Sequence, residues 1–223
     1  MILAGDVAIA NGDRFTFHQF PTEVRAKPWC INLEGAIADP AQMLDWGVYN
    51  ASDWCESLAD FNLGPVFLGN NHVHDLPSGV TTTLTELRLA GIQGFGAGNN
   101  EPEAVRPALV SSGDRDYVLG GFGWPVVGCR PASTHQAGIN RLEAQHALRT
   151  VATLLEQYPD RQLVVVLHWN YECERYPQPG HRKLAMDLID RGVYAVVGHH
   201  PHIVGPVERY NFTSSFLLKK MLD

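Results

Sequence analysis

The sequence predicts a layered α/β fold whose strands end on residues able to bind metal. Three observations carry that expectation. Short apolar runs rich in Val, Ile and Leu recur along the chain, as in strands buried on both faces. Segments with helical patterning lie between several of them, and such alternation is the pattern of a layered α/β sheet. Five of the runs lead at once into Asp, Asn, Glu or His. Ligands of α/β sheets collect beyond the carboxyl ends of the strands, so the third observation speaks to function as well as fold.

Taken in order, MILAG leads into Asp6, and WCI leads into Asn32 and Glu34. A helical pattern over Ala51 to Phe61 follows, and then PVFLG leads into Asn70, Asn71 and His72. Ser78 to Ala90 reads as a helix with Ser78 as its N-cap, and Ile139 to Gln157 as another. QLVVVL leads into His168. Gly180 to Asp190 is the fourth helical pattern, with Gly192 just past its end. Finally YAVVG leads into His199, His200 and His202. One histidine after a strand is more often structural than ligating. Five coincident endings favour a metal.

The bulk properties narrow the class. At 223 residues the chain has the size of one ordinary α/β domain. Its 45% hydrophobic and 18% charged content is that of a globular protein. A net charge of -7 argues against a nucleic-acid surface, which needs a basic stripe. Cys30, Cys55, Cys129 and Cys173 lack metal or disulfide spacing and read as free thiols in a reducing compartment. Neither a signal peptide nor a run of about 20 apolar residues stands out, so a soluble, cytoplasmic chain without a membrane span is expected.

In His200-Pro201-His202, residues i and i+2 of an extended segment share a face, so both imidazoles are expected to meet one metal cluster. His199 is then expected on the opposite face as a packing or supporting residue. Asp6 and Glu34 offer carboxylate oxygens, Asn71 an amide oxygen and His168 an imidazole. That mixed set is too large for one tetrahedral zinc. It suits two adjacent divalent ions of the Mn, Fe, Zn or Ca kind, with Glu34 as the bridge. His72 directly follows Asn71 and cannot easily share its direction, so it reads as a general acid-base residue. Asp75 reads equally as the group that orients His72 or as a turn residue before Pro77.

These residues, in this order, resemble the CapA-type proteins of capsule and poly-γ-glutamate synthesis, relatives of the calcineurin-like metallophosphoesterases. The resemblance runs through Gly5-Asp6, Asn32-Leu33-Glu34-Gly35, Asn70-Asn71-His72 with Asp75, and Gly96-Ala97-Gly98 with Glu103-Ala104 and Pro107. It continues through His168-Trp169 with Glu172 and ends on Gly198-His199-His200-Pro201-His202 with Glu208 and Tyr210. It implies one domain over residues 1–223, folded as a four-layer α/β/β/α sandwich with a two-metal site. Asp6, Glu34, Asn71, His168, His200 and His202 fall on the superfamily's ligand positions and His72 on its catalytic histidine. Glu172 and Glu208 match positions of the CapA branch, where they would contact a substrate amine, order the neighbouring loops, or simply be solvated.

Three departures from the pattern stand out. The superfamily opens with Asp-x-His, whereas the second residue after Asp6 is Ala8, so one ligand of the first metal is missing or replaced. Asn170 stands where the branch has Gly. The usual Ser-Leu-Gly-Asn-Phe strand after Glu-x-Tyr is absent, so the C-terminus is truncated, the sheet lacks that strand, or FTSSFLL stands in for it. The resemblance implies a two-metal hydrolase-like enzyme acting on a γ-glutamyl, peptide or phosphate-bearing small molecule or polymer. The alternatives are a non-catalytic accessory factor gripping an anionic polymer, and a phosphoester hydrolase.

Overall fold

The computed structural model of the chain describes residues 1–9, 20–211 and 214–218. The chain opens with β1 (Ile2–Val7), the single turn α1 (Thr22–Arg25) and β2 (Trp29–Leu33). A short pair follows, β3 (Ala36–Ile37) with β4 (Tyr49–Asn50), then α2 (Trp54–Ser57), β5 (Val66–Phe67) and α3 (Gly79–Leu89). Next come β6 (Gly94–Phe95), β7 (Ala97–Gly98), α4 (Glu101–Ala104), and the hairpin of β8 (Ala108–Ser112) and β9 (Arg115–Gly123). After β10 (Gly138–Ile139), α5 (Ala144–Gln157) leads to β11 (Gln162–His168), and α6 (Pro179–Asp190) to β12 (Ala195–His199). The last strands are β13 (Val207–Tyr210) and β14 (Ser214–Leu218).

Two sheets carry the fold. One is parallel, in the order β1-β2-β5-β6. The other runs β13-β14-β12-β11-β9-β8, parallel in its middle with an antiparallel strand at each edge. Three apolar clusters define the layers. Cys30, Phe67 and Phe95 of the first sheet meet Leu119, Val164, Val166 and Val197 of the second. On the second sheet's other face, Val151 and Leu154 of α5 and Leu184 and Leu188 of α6 cover Val118, Leu163, Val165 and Val196. Outside the first sheet, Val80 and Leu87 of α3 and Trp54 of α2 pack on Ile31, Leu33 and Val66. Helix, sheet, sheet, helix is the four-layer order that the resemblance implies.

Strand alternation then decides which side chains look inward. On β11, Val164 and Val166 face the other sheet while Leu163, Val165 and Leu167 face the helices. The same period of two turns His168 inward. On β12, Val197 faces inward and Val196 outward, so His199 is also turned inward. β1 needs a correction to this rule. Its pairing with β2 shifts by one residue between Leu3 and Asp6. Such a bulge changes face parity, and it brings Asp6 opposite Asn32 on the inner face, where simple alternation would have sent it outward with Ala4.

Glycines let the sheets close beneath these residues. A Cβ on Gly121 would lie 2.7 Å from the Phe67 ring, and one on Gly123 only 2.3 Å from the Gly69 carbonyl oxygen.

Some expected boundaries move. Ala51 to Phe61 holds only the single turn of α2, because Ala59 and Phe61 bond back three residues, to Glu56 and Leu58, in place of a continuing helical ladder. Burying Trp54 and Leu58 is all the segment requires of its local shape. The expected helix from Ile139 starts at Ala144: Ile139 pairs with Ala97 in a strand, and the Glu143 carboxylate caps the helix by accepting from the backbone of Gln145 and His146. Ser78 stands at the N-cap of α3, but its side chain makes no capping bond.

At the C-terminus, Ser214–Leu218 forms β14, inserted between β12 and β13. The sheet therefore keeps a strand there, and FTSSFLL supplies it, although residues 212 and 213 lie outside the described residues. Among the described residues no helix is long and apolar enough to cross a membrane.

Replacing Gly123 with Ala drives a methyl group into backbone that cannot move aside, and overpacking of that kind costs about 1–3 kcal/mol. Urea unfolding of Gly123→Ala is expected to show a loss of that size. An unchanged midpoint would contradict the close approach of the two sheets.

Candidate metal centre

The carboxyl ends of β1, β2, β11 and β12 meet between the sheets, joined by the turn that follows β5. Asp6 is at the centre. Its Oδ1 accepts from the Asn32 side-chain amide at 2.6 Å and lies 3.0 Å from Nδ1 of His199. Its Oδ2 accepts from the His200 backbone N–H at 3.3 Å and lies 3.3 Å from Nδ1 of His202. Asn32 is itself held by Asn70, whose amide donates to Asn32 Oδ1 at 3.1 Å and to the Leu33 carbonyl at 2.8 Å.

Glu34 lies just past β2. Nε2 of His168 and Nε2 of His202 each stand 3.8 Å from its Oε1. Asn71 Oδ1 is 2.7 Å from the same His168 Nε2. The His168 and His200 ring centres are 4.8 Å apart, and those of His200 and His202 are 5.8 Å apart. The loop carrying Glu34 is fixed by buried Asn50, whose amide donates to the Glu34 and Gly35 carbonyls and whose oxygen accepts from Ile9 N–H.

His200 and His202 converge by a route that the sequence expectation did not foresee. The strand stops at His199, and both His200 (φ 92°) and His202 (φ 53°) adopt left-handed backbone. Two such turns around Pro201, in place of an extended segment, bring the imidazoles together. His199, expected on the far face, is turned inward against Asp6 and the Phe67 ring.

The two carboxylates have opposite characters. Burial alone would raise the Asp6 pKa, but the close His199 ring, with His168 and the Asn32 amide, outweighs it and holds the group well below the usual carboxylate range. Glu34 has no such compensation. Burial, then the charges of Asp6, Glu172 and Asp75, push it up to about 9. Burial also keeps His168 well below its ordinary value against the opposing pull of Asp6. His200 is lowered by burial and then by His202. Both imidazoles are thus held in the neutral form that ligates metal.

The donor set can be tested against a metal directly. Glu34 Oε1 and His200 Nδ1 are buried and have no hydrogen-bond partner among the described residues, which is costly for groups that nothing satisfies. Three groups of donors lie with all their ligand atoms within 4.8 Å of one another: Glu34, His168 and His200; Asp6, Glu34 and His202; and Glu172, His200 and His202. Oxygen and imidazole donors in this arrangement fit divalent cations.

His72 sits one residue past Asn71 in a short 3-10 turn, His72–His74. Its Nδ1 is 2.8 Å from Asp75 Oδ2, which also accepts from Val48 N–H at 2.8 Å. Asp75 therefore touches the His72 ring and ties the β3–β4 loop to this turn. Glu172 comes to His200 and His202. Glu208 is engaged elsewhere, in a two-point pair with Arg182 of α6.

Sequence reading passed over Asn32, Asn70 and Asn50 as working parts. The first two carried a signal, since each is a polar residue at the end of an apolar run. Asn50 carried none. Asn170 has φ 71° and replaces Gly where the backbone turns left-handed, a conformation that Asn tolerates better than most residues.

Residues 21–217 match the model of the family described as "Bacterial capsule synthesis protein PGA_cap". A Mycobacterium tuberculosis relative named "Probable polyglutamine synthesis accessory protein" is 33% identical over 154 residues, which are 64% of this chain and 40% of that protein. The Bacillus subtilis "PGA biosynthesis protein CapA" is 27% identical over 161 residues, 71% of this chain and 42% of that protein. The chain thus spans about two fifths of the length of these relatives. Among solved structures, a hypothetical protein of Thermus thermophilus superposes with TM-score 0.55 at 15% identity, covering 89% of this chain and 67% of that one. A 5'-nucleotidase precursor from the same organism superposes with TM-score 0.53 at 17% identity, covering 88% of this chain and 40% of that one. The fold is therefore of the calcineurin-like metallophosphoesterase kind, and by the match over residues 21–217 the chain belongs to the PGA_cap family of bacterial capsule synthesis proteins.

Proposed function

We propose that the chain is a hydrolase-like enzyme holding two divalent ions of the Mn, Fe, Zn or Ca kind. Its substrate is a γ-glutamyl, peptide or phosphate-bearing molecule met in the making of an anionic polymer. The observation that carries this reading is the pair of donor groups that share Glu34. His168, His200 and Asn71 would hold one ion with Glu34, and Asp6 and His202 the other. Two ions about 3.5–4 Å apart supply an activated water at neutral pH and stabilise charge developing on a substrate oxygen.

The remaining steps belong to the chain's own groups. His72, oriented through Nδ1 by Asp75, presents its other ring nitrogen to donate or accept a proton. Asn32, Asn70 and His199 keep the Asp6 carboxylate ionised and in place. The names of the M. tuberculosis and B. subtilis relatives support a polymer pathway as the setting.

A second reading is favoured by one observation: two residues after Asp6, Ala8 offers only a methyl group where the superfamily has a histidine. In that reading the metal centre grips polymer carboxylates without turnover. His72 separates the two readings. Under the enzymatic one, His72→Ala abolishes polymer production in a host as fully as Glu34→Gln does, and lowers turnover by about 10²–10⁴-fold while metal content stays unchanged. Production that survives His72→Ala but not Glu34→Gln assigns the accessory role.

Elemental analysis of protein purified without chelator is expected to find two divalent ions per chain, and less than one would contradict the proposal. The metal-free chain has a further signature. A carboxyl raised from 4.5 to about 9 keeps its proton in the folded state and loses it on unfolding. Glu34 therefore makes stability fall as pH rises through that window. Asp6, held low, contributes stability across the same window and loses it only in strong acid. Thermal unfolding in chelator is expected to weaken from about pH 7 to about pH 8.5, above the range in which the buried histidines, held low, add stability as pH rises, and Glu34→Gln is expected to lessen that fall.

A further inference from the structure

We propose that Glu172 is a metal ligand, supplying the ion of Asp6 and His202 with the donor that Ala8 does not provide. The inference rests on the two-ion reading above and assigns a side chain to the gap in it. Asp6, Glu34 and His202 make a group of three donors, and divalent ions that prefer six or more ligands have room for a further protein oxygen beside them. Ala8, two residues after Asp6 in the sequence, offers a methyl group. The carboxylate of Glu172 stands within 4.8 Å of ligand atoms on both His200 and His202. His202 belongs to this group and to the Asp6–Glu34 group alike, and Glu172 itself is exposed.

The loop that carries Glu172 is built to hold it there. Asn170, fully buried, closes residues 170–178 into a ring: its amide donates to the Tyr176 carbonyl at 3.1 Å and its oxygen accepts from Gln178 N–H at 3.3 Å. Cys173 N–H donates to the Pro201 carbonyl at 2.9 Å, which fastens the ring to the residue between the two histidines. Asn170 (φ 71°) and Cys173 (φ 60°) both hold left-handed backbone on either side of Tyr171 and Glu172. Two non-glycine residues in that region within four positions cost free energy, and the turns they make place Glu172 beside the histidines. His200 Nδ1 is buried and has no hydrogen-bond partner among the described residues.

Titration of the full chain with Mn2+ tests the assignment, with the metal alone as probe. Wild type is expected to take up two ions. In Glu172→Gln one uptake event weakens by about 10–100-fold while the other stays within about threefold, as expected when one of two ion seats is altered. Equal thermal unfolding of the variant and wild type in chelator shows that the loop still folds. Two ions bound by Glu172→Gln with both affinities within about threefold of wild type would overturn the assignment and leave the two-ion reading standing. Equal weakening of both events that vanishes at high salt would mark Glu172 as a distant charge and overturn it too. If wild type binds one ion, the two-ion reading falls; a tenfold weaker single event in Glu172→Gln would still show Glu172 as a ligand.

Discussion

Two acidic side chains, Asp6 and Glu34, are buried side by side where the strands of two facing sheets end, and this placement constrains everything around it. Isolated buried charges are expensive unless paired and hydrogen-bonded. The chain compensates one of them. Asp6 receives the Asn32 amide, the His200 backbone and the His199 ring. Among the described residues Glu34 receives no comparable set, and its Oε1 has no hydrogen-bond partner. A pocket that satisfies one carboxylate and leaves its neighbour unsatisfied, among neutral imidazoles, is the donor set for which two cations are proposed above.

The rest of the architecture serves that arrangement. The bulge in β1 turns Asp6 toward the inner face. Gly121 and Gly123 let the sheets approach until only a few ångströms separate their backbones and the Phe67 ring. Asn70 bridges the turn after β5 to Asn32 and the end of β2, so ligands that are distant along the chain move as one unit. Fold alone does not determine chemistry. Ala8 illustrates why, since it offers no donor at a position where the resemblance implies a histidine.

Much of this was legible in the sequence, and the limits have physical causes. Apolar runs revealed the strands because burial on both faces imposes composition, and the polar residues after them revealed the site. Face parity was harder. The β1 bulge inserts one residue with no change in hydrophobic pattern, so the inward turn of Asp6 left no trace. Left-handed backbone at His200 and His202 was hidden because histidine is not a residue type that announces it, unlike Gly. The helix expected over Ala51 to Phe61 failed because two buried residues four apart, Trp54 and Leu58, satisfy a single turn as well as a long helix. Glu208 matched a family position, yet it lies in a pair with Arg182, a partner that only the tertiary structure reveals.

The central claim is that side chains from five separate segments share a pair of cations bridged by Glu34. Anomalous diffraction from crystals of the chain soaked in Mn2+ measures it most directly. The account predicts two peaks about 3.5–4 Å apart, both touching Glu34, one beside His168 and His200 and the other beside Asp6 and His202. A single peak, or peaks that leave Glu34 untouched, would contradict it.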